Sequence, residues 1–464
     1  MNSTPIGRAD DGAQISAPLR AIRELLHESQ RKVVVLDDDP TGTQTVQGVP
    51  VLTAWDPDLL AQALAEPTPC FFILTNTRAL PASAAAGLNR ELARNLRTAS
   101  KKVGREFTLI SRSDSTLRGH FPTETDALLE CLSHAVDATL LIPAFFEGGR
   151  VTVDGVHYVS EDQRLVPVNE TEFARDATFG FRSANLSDWV EEKSAGRIAA
   201  SSVARIALAL VRGPGGAGAV KDALLAAPRG AVVTVDAMTY DDLEIFTHGL
   251  LLAEAHGRRY LARSAASFAR VRSGLGGHCV LEPSRIVEPS PMGGLIVVGS
   301  YVAKTTRQLE AALTLAHVVP VEMAVDRLAT REGREQEIRR VAADAEAALR
   351  AGRHAVVYTS RATDSVLGRA GELAVASTVS NAVVDAVRLL QVRPRFLIAK
   401  GGITSSDIAT RALGIRRAMV LGQAAPGVPV WKTGPESRYP GLAYVIFPGN
   451  VGGPFALRDM LRAW

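Results

Sequence analysis

Three consecutive acids, Asp37-Asp38-Asp39, follow the apolar run Val33-Val34-Val35-Leu36 and precede Pro40-Thr41-Gly42-Thr43. Adjacent carboxylates repel one another, so holding them together costs stability unless a cation, a hydroxyl-rich ligand or a proton in transfer uses them. A second polar segment, Ser111-Arg112-Ser113-Asp114-Ser115-Thr116-Leu117-Arg118-Gly119-His120, combines two guanidinium groups with hydroxyls and a carboxylate. That mixture suits a small polyhydroxylated anion: arginine forks a carboxylate or phosphate, while Ser, Thr and Asp take hydroxyls. Thr75-Asn76-Thr77-Arg78 offers a further guanidinium. The structural alternative is a capping Asp beside solvated loops.

The elements that must position these groups are parallel strands. The Val-rich run predicts a buried strand ended at once by Pro and Gly, which delivers the acids to its carboxyl end, where open α/β sheets bind ligands. Strand-like runs at Lys32–Leu36, Cys70–Leu74, Phe107–Ile110 and Ala138–Ile142 alternate with helical patterns such as Ala82–Ser100 and Thr123–Val136. This is the βαβ rhythm of a parallel sheet. Pro143–Arg164 is expected to be a long irregular loop, Leu186–Lys193 and Ser201–Val211 helices, and Ala231–Val235 a strand.

Glycines and prolines between Leu275 and Met292 predict a linker. Beyond it a second rhythm begins, with strands at Leu295–Val298, Ala355–Tyr358, Phe396–Ala399, Ala418–Leu421 and Ala443–Phe447, and helices such as Glu335–Leu349 and Ala382–Leu390. Here Lys400-Gly401-Gly402-Ile403-Thr404-Ser405-Ser406-Asp407 joins a strand to a helix expected from Ser405. Two glycines before a helix N-terminus expose backbone N–H groups and form an anion cradle; an ordinary tight turn with a capping Ser is the alternative. Gly449-Asn450-Val451-Gly452-Gly453 follows another strand and resembles a second phosphate or ribose loop. Gly299-Ser300-Tyr301-Val302-Ala303-Lys304-Thr305 lacks the glycine that a Walker loop requires before its Lys, and no GxGxxG follows a strand.

At 464 residues the chain exceeds one ordinary core, and a composition 46% hydrophobic but only 5% aromatic favours α/β domains over sandwiches. The expected fold is two α/β domains with mainly parallel sheets, 1–280 and 290–464, and an active-site cleft between them. The net charge of +3 is spread along the chain without a basic stripe, so nucleic-acid and membrane-surface roles lack support. Cys70, Cys131 and Cys279 form neither a disulfide framework nor a zinc ribbon, no stretch has the length of a signal peptide core or membrane span, and a reducing cytoplasm fits. The nine histidines show no metal-binding pairing, and His120 and His157 are expected to hydrogen-bond rather than ligate.

Four ordered motifs give the chain from about Lys32 onward a resemblance to the four-carbon acid sugar kinases: Asp38-Asp39-Pro40-Thr41-Gly42, Ser113–Gly119, Gly401–Ser405 and Gly449–Gly452. The resemblance implies an N-terminal domain binding a tetronate-type acid and a C-terminal domain binding ATP. It implies Asp38 and Asp39 at the reacting hydroxyl, with Arg78, Arg112, Asp114, Ser115 and Arg118 around the acid. It implies Ser300, Gly401, Gly402, Ile403, Thr404, Gly449, Asn450 and Gly452 around the nucleotide, with Mg²⁺ carried by ATP rather than by dedicated protein ligands. The chain departs from the family at Asp37, where many members have Ala, at Pro40, where they have a bulky apolar residue, and at Tyr301-Val302, which replaces a serine-rich turn.

The activity implied is ATP-dependent phosphorylation of the terminal hydroxyl of threonate, erythronate or a 3-oxo-tetronate. One rival is a phosphatase of the haloacid-dehalogenase type, because Asp37-x-Asp39-x-Thr41 after a strand fits that superfamily's opening, with Asp37 as nucleophile and Asp39 as acid/base. Another is a two-domain binding protein without catalysis. The expected partners are a sugar acid and ATP, with no nucleic acid and no membrane; a homodimer stands among the options for assembly.

Overall fold

The structure, a computed structural model, describes residues 15–132, 136–161, 164–277, 280–299, 303–360 and 372–464. It is α/β, as expected, and divides into two compact units, Met1–Gly277 and His278–Trp464.

In the first unit the strands are β1 (Lys32–Asp37), β2 (Pro50–Leu52), β3 (Cys70–Leu74), β4 (Phe107–Arg112), β5 (Ala138–Ile142), β6 (Arg150–Val153), β7 (Val156–Glu161), β8 (Arg164–Pro167), β9 (Ala204–Ile206), β10 (Ala231–Val235) and β11 (Tyr260–Ser264). Among the described residues its main sheet runs β2-β3-β1-β4-β11-β5-β10-β9, with every neighbouring pair parallel. Every residue of β1 is buried because helices cover both faces, which explains its unbroken apolar run. Val34 and Leu36 pack with Phe71 and Ile73 of β3 and with Leu92, Leu96 and Leu128 from helices Ala82–Val103 and Thr123–Leu132. The register aligns Asp37 with Arg112 on β4, and Ser111 with Arg263 on β11. Successive strand residues alternate faces, so Arg112 and Arg263 stand at the same carboxyl edge but on opposite sides of the sheet.

Two sequence expectations fail in this unit. Much of Pro143–Arg164 is ordered as β6 and β7, which with β8 make an antiparallel sheet. The missed signal is Asp154-Gly155, both at positive φ (50° and 78°), the two-residue turn that joins twisted hairpin strands. Ser201–Val211 is not a helix but the edge strand β9 followed by a short helix, Leu208–Arg212.

The second unit holds β12 (Leu295–Val298), β13 (Val318–Met323), β14 (His354–Thr359), β15 (Leu397–Lys400), β16 (Arg417–Ala425), β17 (Val428–Thr433) and β18 (Ala443–Phe447). Their order is β13-β14-β12-β15-β18-β17-β16, parallel from β13 to β18 and antiparallel through β17 to β16. Strands β13 and β17, both interrupted by proline, are absent from the sequence reading. Pro320 is tolerated because β13 is the last strand of the order on its side. Residues read as linker also belong here: Pro283–Ile286 is a helical turn, and Ile286 and Val287 are buried in the unit's core.

Phe396, just before β15, anchors that core. Its ring meets Trp464 edge-on at 4.9 Å and His354 at 5.1 Å, and Gly294 lies so close that a Cβ there would stand 2.1 Å from the ring. Phe396→Ala is expected to destabilise the protein by about 3–5 kcal/mol. Urea unfolding checks it: the midpoint should fall with little change in the denaturant slope.

Candidate active site

The first polar cluster forms where β1, β3, β4 and β11 end. Asp37, the last residue of β1, is 2% exposed, and its Oδ1 accepts from Arg112 Nη1 at 3.0 Å. Gly42 packs directly on this carboxylate: a Cβ at residue 42 would stand 1.8 Å from Asp37 Oδ2. Burial pushes Asp37 up to about 7, with Arg112 opposing and the charges of Asp38 and Asp39 assisting the rise.

Asp38 is buried and fully engaged. Arg78 forks it, Nη2 to Oδ1 at 2.5 Å and Nε to Oδ2 at 3.2 Å, and the Ser113 hydroxyl donates to Oδ2. Asp39 is the more accessible member, with a side chain 22% exposed. Its Oδ1 accepts from Thr41 N at 2.8 Å and Thr41 Oγ1 at 2.5 Å, while Oδ2 has only a 3.4 Å contact with Arg78 Nη1. Burial pushes its pKa up, but Arg78 and the two Thr41 donors outweigh that, and the net direction is down. Asp39 is therefore ionised at neutral pH.

The remaining residues implied for the acid lie on the loop after β4. Arg118 Nε donates to Asp114 Oδ2 at 2.7 Å and Nη1 to Asp176 at 3.5 Å. Burial opposes ionisation of Asp114, but Arg78 and Arg118 hold it well below the usual carboxylate range. Ser115 is buried, and its carbonyl is bound by Nε2 of His157 on β7 at 2.7 Å. The Thr152 hydroxyl sits 2.9 Å from His157 Nδ1, so the Ser115 carbonyl makes Nε2 the protonated nitrogen and Nδ1 the acceptor. Burial pushes this imidazole down to about 4, so it is neutral. Leu117 and Phe121 pack with Val159, Val168 and Trp189, which ties the loop to the antiparallel sheet.

Two residues at this edge escape the sequence reading. Glu124, in the first turn of helix Thr123–Leu132, is buried, bonded by the Thr77 hydroxyl and Asn89, and raised well above the ordinary glutamate range by burial and by Asp38. Arg263, next to last in β11, meets Gly119 alongside Ser113 and Asp38. Neither announces itself in sequence: one looks like any acid in a helical first turn, the other like a charge on a short run.

The second candidate site lies in the second unit, where β12, β15 and β18 end side by side. A cavity of about 300 Å³ is lined by Gly299, Val379, Val383, Gly401–Thr404 and Asp407, among others. Gly401 has φ 109° and ψ 142°, a conformation closed to L side chains, and its N–H is held by Phe447 O at 2.9 Å. The helix begins at Gly402 rather than Ser405, because the Ser405 hydroxyl turns back to the carbonyls of Ala399 (2.9 Å) and Gly401 (2.8 Å). Ile403 is 63% exposed, and Thr404 packs against Gly299.

Lys400 is buried under this turn, its Nζ 3.9 Å from the Phe447 ring centre and bonded to Pro448 O at 3.1 Å. Burial and the Lys304 charge push it down to about 7. Gly449, Asn450 and Gly452 do not line the cavity; their loop is tied to helix Ala303–Leu313, with Lys304 Nζ on Asn450 O and Thr305 Oγ1 on Gly449 O, each at 3.0 Å. Ser300, with Tyr301 and Val302, lies outside the described residues. No helix among the described residues is long and apolar enough to cross a membrane.

Residues 33–272 match the family model described as a sugar-binding N-terminal domain, and residues 295–457 the one described as a nucleotide-binding C-terminal domain. The chain is 26% identical to a D-threonate kinase of Salmonella typhimurium, over 93% of this chain and 97% of that one. It is 32% identical to a D-erythronate kinase of Heliobacterium modesticaldum over 207 residues, 43% of this chain and 41% of that one. A crystal structure from Salmonella typhimurium LT2 shares the fold at 17% identity, covering 93% of this chain and 98% of that one, with a TM-score of 0.67.

Two outcomes follow from the Asp37–Arg112 pair. Asp37 binds a proton more readily folded than unfolded, so its contribution to stability is present at acidic pH and is lost as pH rises from about 4 through about 7. Asp37→Asn is expected to flatten that decline, read as urea midpoints between pH 5 and pH 8. Arg112→Ala is expected to destabilise by about 3–5 kcal/mol at pH 8, because it leaves a buried carboxylate uncompensated, and by much less in the Asp37→Asn background. Equal losses in both backgrounds would show that the pair does not couple.

Proposed function

Because the chain belongs to the four-carbon acid sugar kinase family, we propose that it transfers the γ-phosphoryl group of ATP to a hydroxyl of a four-carbon sugar acid. One observation carries this reading: a carboxylate cluster with a single accessible, ionised member, Asp39, set among hydroxyls and guanidinium groups that suit a hydroxy acid. A glycine turn at the ends of parallel strands in the second unit supports the nucleotide half. The names of the relatives, threonate and erythronate kinases, support the substrate class.

Phosphoryl transfer through a loose transition state needs positioning and charge neutralisation more than a strong base. Asp38, saturated by Arg78 and Ser113, is the rigid member that fixes Arg78 between the two carboxylates. Asp39 Oδ2, held only by the 3.4 Å contact with Arg78, is the acceptor that orients the attacking hydroxyl and takes its proton as the bond to phosphorus forms. Asp114, Ser115 and Arg118 supply polar groups for the acid. Arg112 acts through Asp37. In the second unit, the N–H groups of Gly402, Ile403 and Thr404 favour phosphate oxygens, and Val379 and Val383 offer an apolar wall for a base. ATP brings Mg²⁺ with it, and the metal offsets charge on the phosphates.

The phosphatase alternative requires Asp37 as an exposed nucleophile. Asp37 is buried, hydrogen-bonded by Arg112 and covered by Gly42, which is the wrong environment for in-line attack.

A coupled assay of ATP consumption over the stereoisomeric four-carbon sugar acids tests the proposal: turnover with at least one acid is expected, and none with any would refute it. Asp39→Asn should lower kcat by about 10²-fold or more with little effect on binding of the acid. Asp37→Asn should keep measurable turnover. Gly402→Val should weaken ATP binding while leaving the acid's affinity unchanged, as measured by calorimetry with each ligand separately.

A further inference from the structure

Four arginines reach the carboxylate edge of the first unit, and three of them are already neutralised. Arg78 is held by Asp38 and Asp39, Arg112 by Asp37, and Arg118 by Asp114 and Asp176. Arg263 is different. It is 3% exposed, and among the described residues its single hydrogen bond is from Nη2 to the Arg118 carbonyl at 3.1 Å. Its Nε is buried without an acceptor, as are those of Arg112 and Arg150, but unlike Arg78, Arg112 and Arg118 it forms no ion pair with a carboxylate among the described residues. A guanidinium carries five N–H donors in a planar fork, and leaving that fork buried and unpaired is costly unless a ligand completes it.

Its position says which ligand. A Cβ built on Gly119 would meet Ser113 Oγ at 2.5 Å and both Arg263 Nη2 and Asp38 Oδ2 at 3.2 Å, so the fork and the carboxylate cluster close together around the Gly119 backbone. Gly119, with φ at 116°, lets the backbone pass this close to them, and a side chain there would push into both. Asp38 and Glu124 lie near enough to favour the charged guanidinium, although burial lowers its pKa overall. Both carboxylates are spent elsewhere, on Arg78 and Ser113 and on Thr77 and Asn89. What is missing is a planar, bidentate anion.

We propose that Arg263 is the anchor for the carboxylate of the sugar acid, the residue that makes this site select an acid over the corresponding neutral polyol. The assignment rests on the kinase reading, and it separates two arginines by role. Arg112 compensates Asp37, whereas Arg263, on the opposite side of the same sheet edge, receives the substrate. A short hydroxy acid then lies with its carboxylate on Arg263 and its hydroxyl end at Asp39. Gly119 is the residue between them that must stay without a side chain.

The test compares each acid with a ligand that differs only at the anionic group. Calorimetry on the full chain, without nucleotide, measures D-threonate and D-erythronate against threitol and erythritol. The wild type is expected to bind its preferred acid on the order of 10²-fold more tightly than the matching tetritol. Arg263→Met, similar in length but uncharged, is expected to abolish that preference while leaving tetritol affinity unchanged, and without lowering the melting temperature of the unliganded protein. Arg263→Lys, which keeps the charge and loses the fork, should recover only part of the preference.

Retention of the acid-to-tetritol ratio in Arg263→Met overturns the assignment. So does an equal loss of acid and tetritol binding, or a melting temperature that falls in both variants, since either marks a structural arginine. A wild type that binds none of the acids overturns the kinase reading together with this one, which separates the two failures.

Discussion

The first unit depends on charge compensation at the end of one buried strand. Three successive carboxylates are tolerable there because two guanidinium groups arrive from neighbouring strand ends: Arg112, beside Asp37 in register on β4, and Arg78, just beyond β3. Each pairing fixes a different carboxylate in a different state. Asp37 is driven toward the protonated form by burial, Asp38 is immobilised by a fork and a hydroxyl, and Asp39 stays ionised with one oxygen turned outward. One chemical type thus occupies three environments and takes three roles.

The same architectural position is used differently in the second unit. There the ends of β12, β15 and β18 carry glycine, not acid, and the group beneath them is the buried amine of Lys400, pushed down to about 7 by burial and by Lys304. Backbone N–H groups at a helix start suit anions, whereas carboxylates suit hydroxyls and protons. The phosphoryl transfer proposed above calls for these opposite polarities.

The loop that bears Asp114, Ser115 and Arg118 is held from behind by side chains that do no chemistry. His157 binds the Ser115 carbonyl from the antiparallel sheet, and Leu117 and Phe121 enter the apolar cluster around Trp189. The neutral state of His157, enforced by burial, leaves Nδ1 to accept from the Thr152 hydroxyl while Nε2–H donates to the Ser115 carbonyl, so both ring nitrogens are satisfied. A buried, satisfied network of this kind keeps polar side chains in place for a ligand without spending their own donors.

Much of the design is legible in the chain by itself. Runs of Val, Leu and Ile mark the buried parallel strands, and Pro or Gly after them marks the edge where Asp37–Asp39, the Ser111–His120 loop and the Gly401-Gly402 turn must stand, because strand period and turn chemistry are local properties. The Asp154-Gly155 hairpin is also written there, but within a segment whose polar composition reads as irregular. What only the tertiary structure decided is which charge meets which. Sequence places Arg112 in a ligand-like motif, yet strand register hands it to Asp37; it gives Arg263 no motif at all, yet β11 inserts beside β4 and brings it, without an ion-pair partner among the described residues, against Gly119. Pairing between residues 75 to 145 positions apart is set by the order of strands in the sheet, and burial then fixes protonation states that composition does not encode.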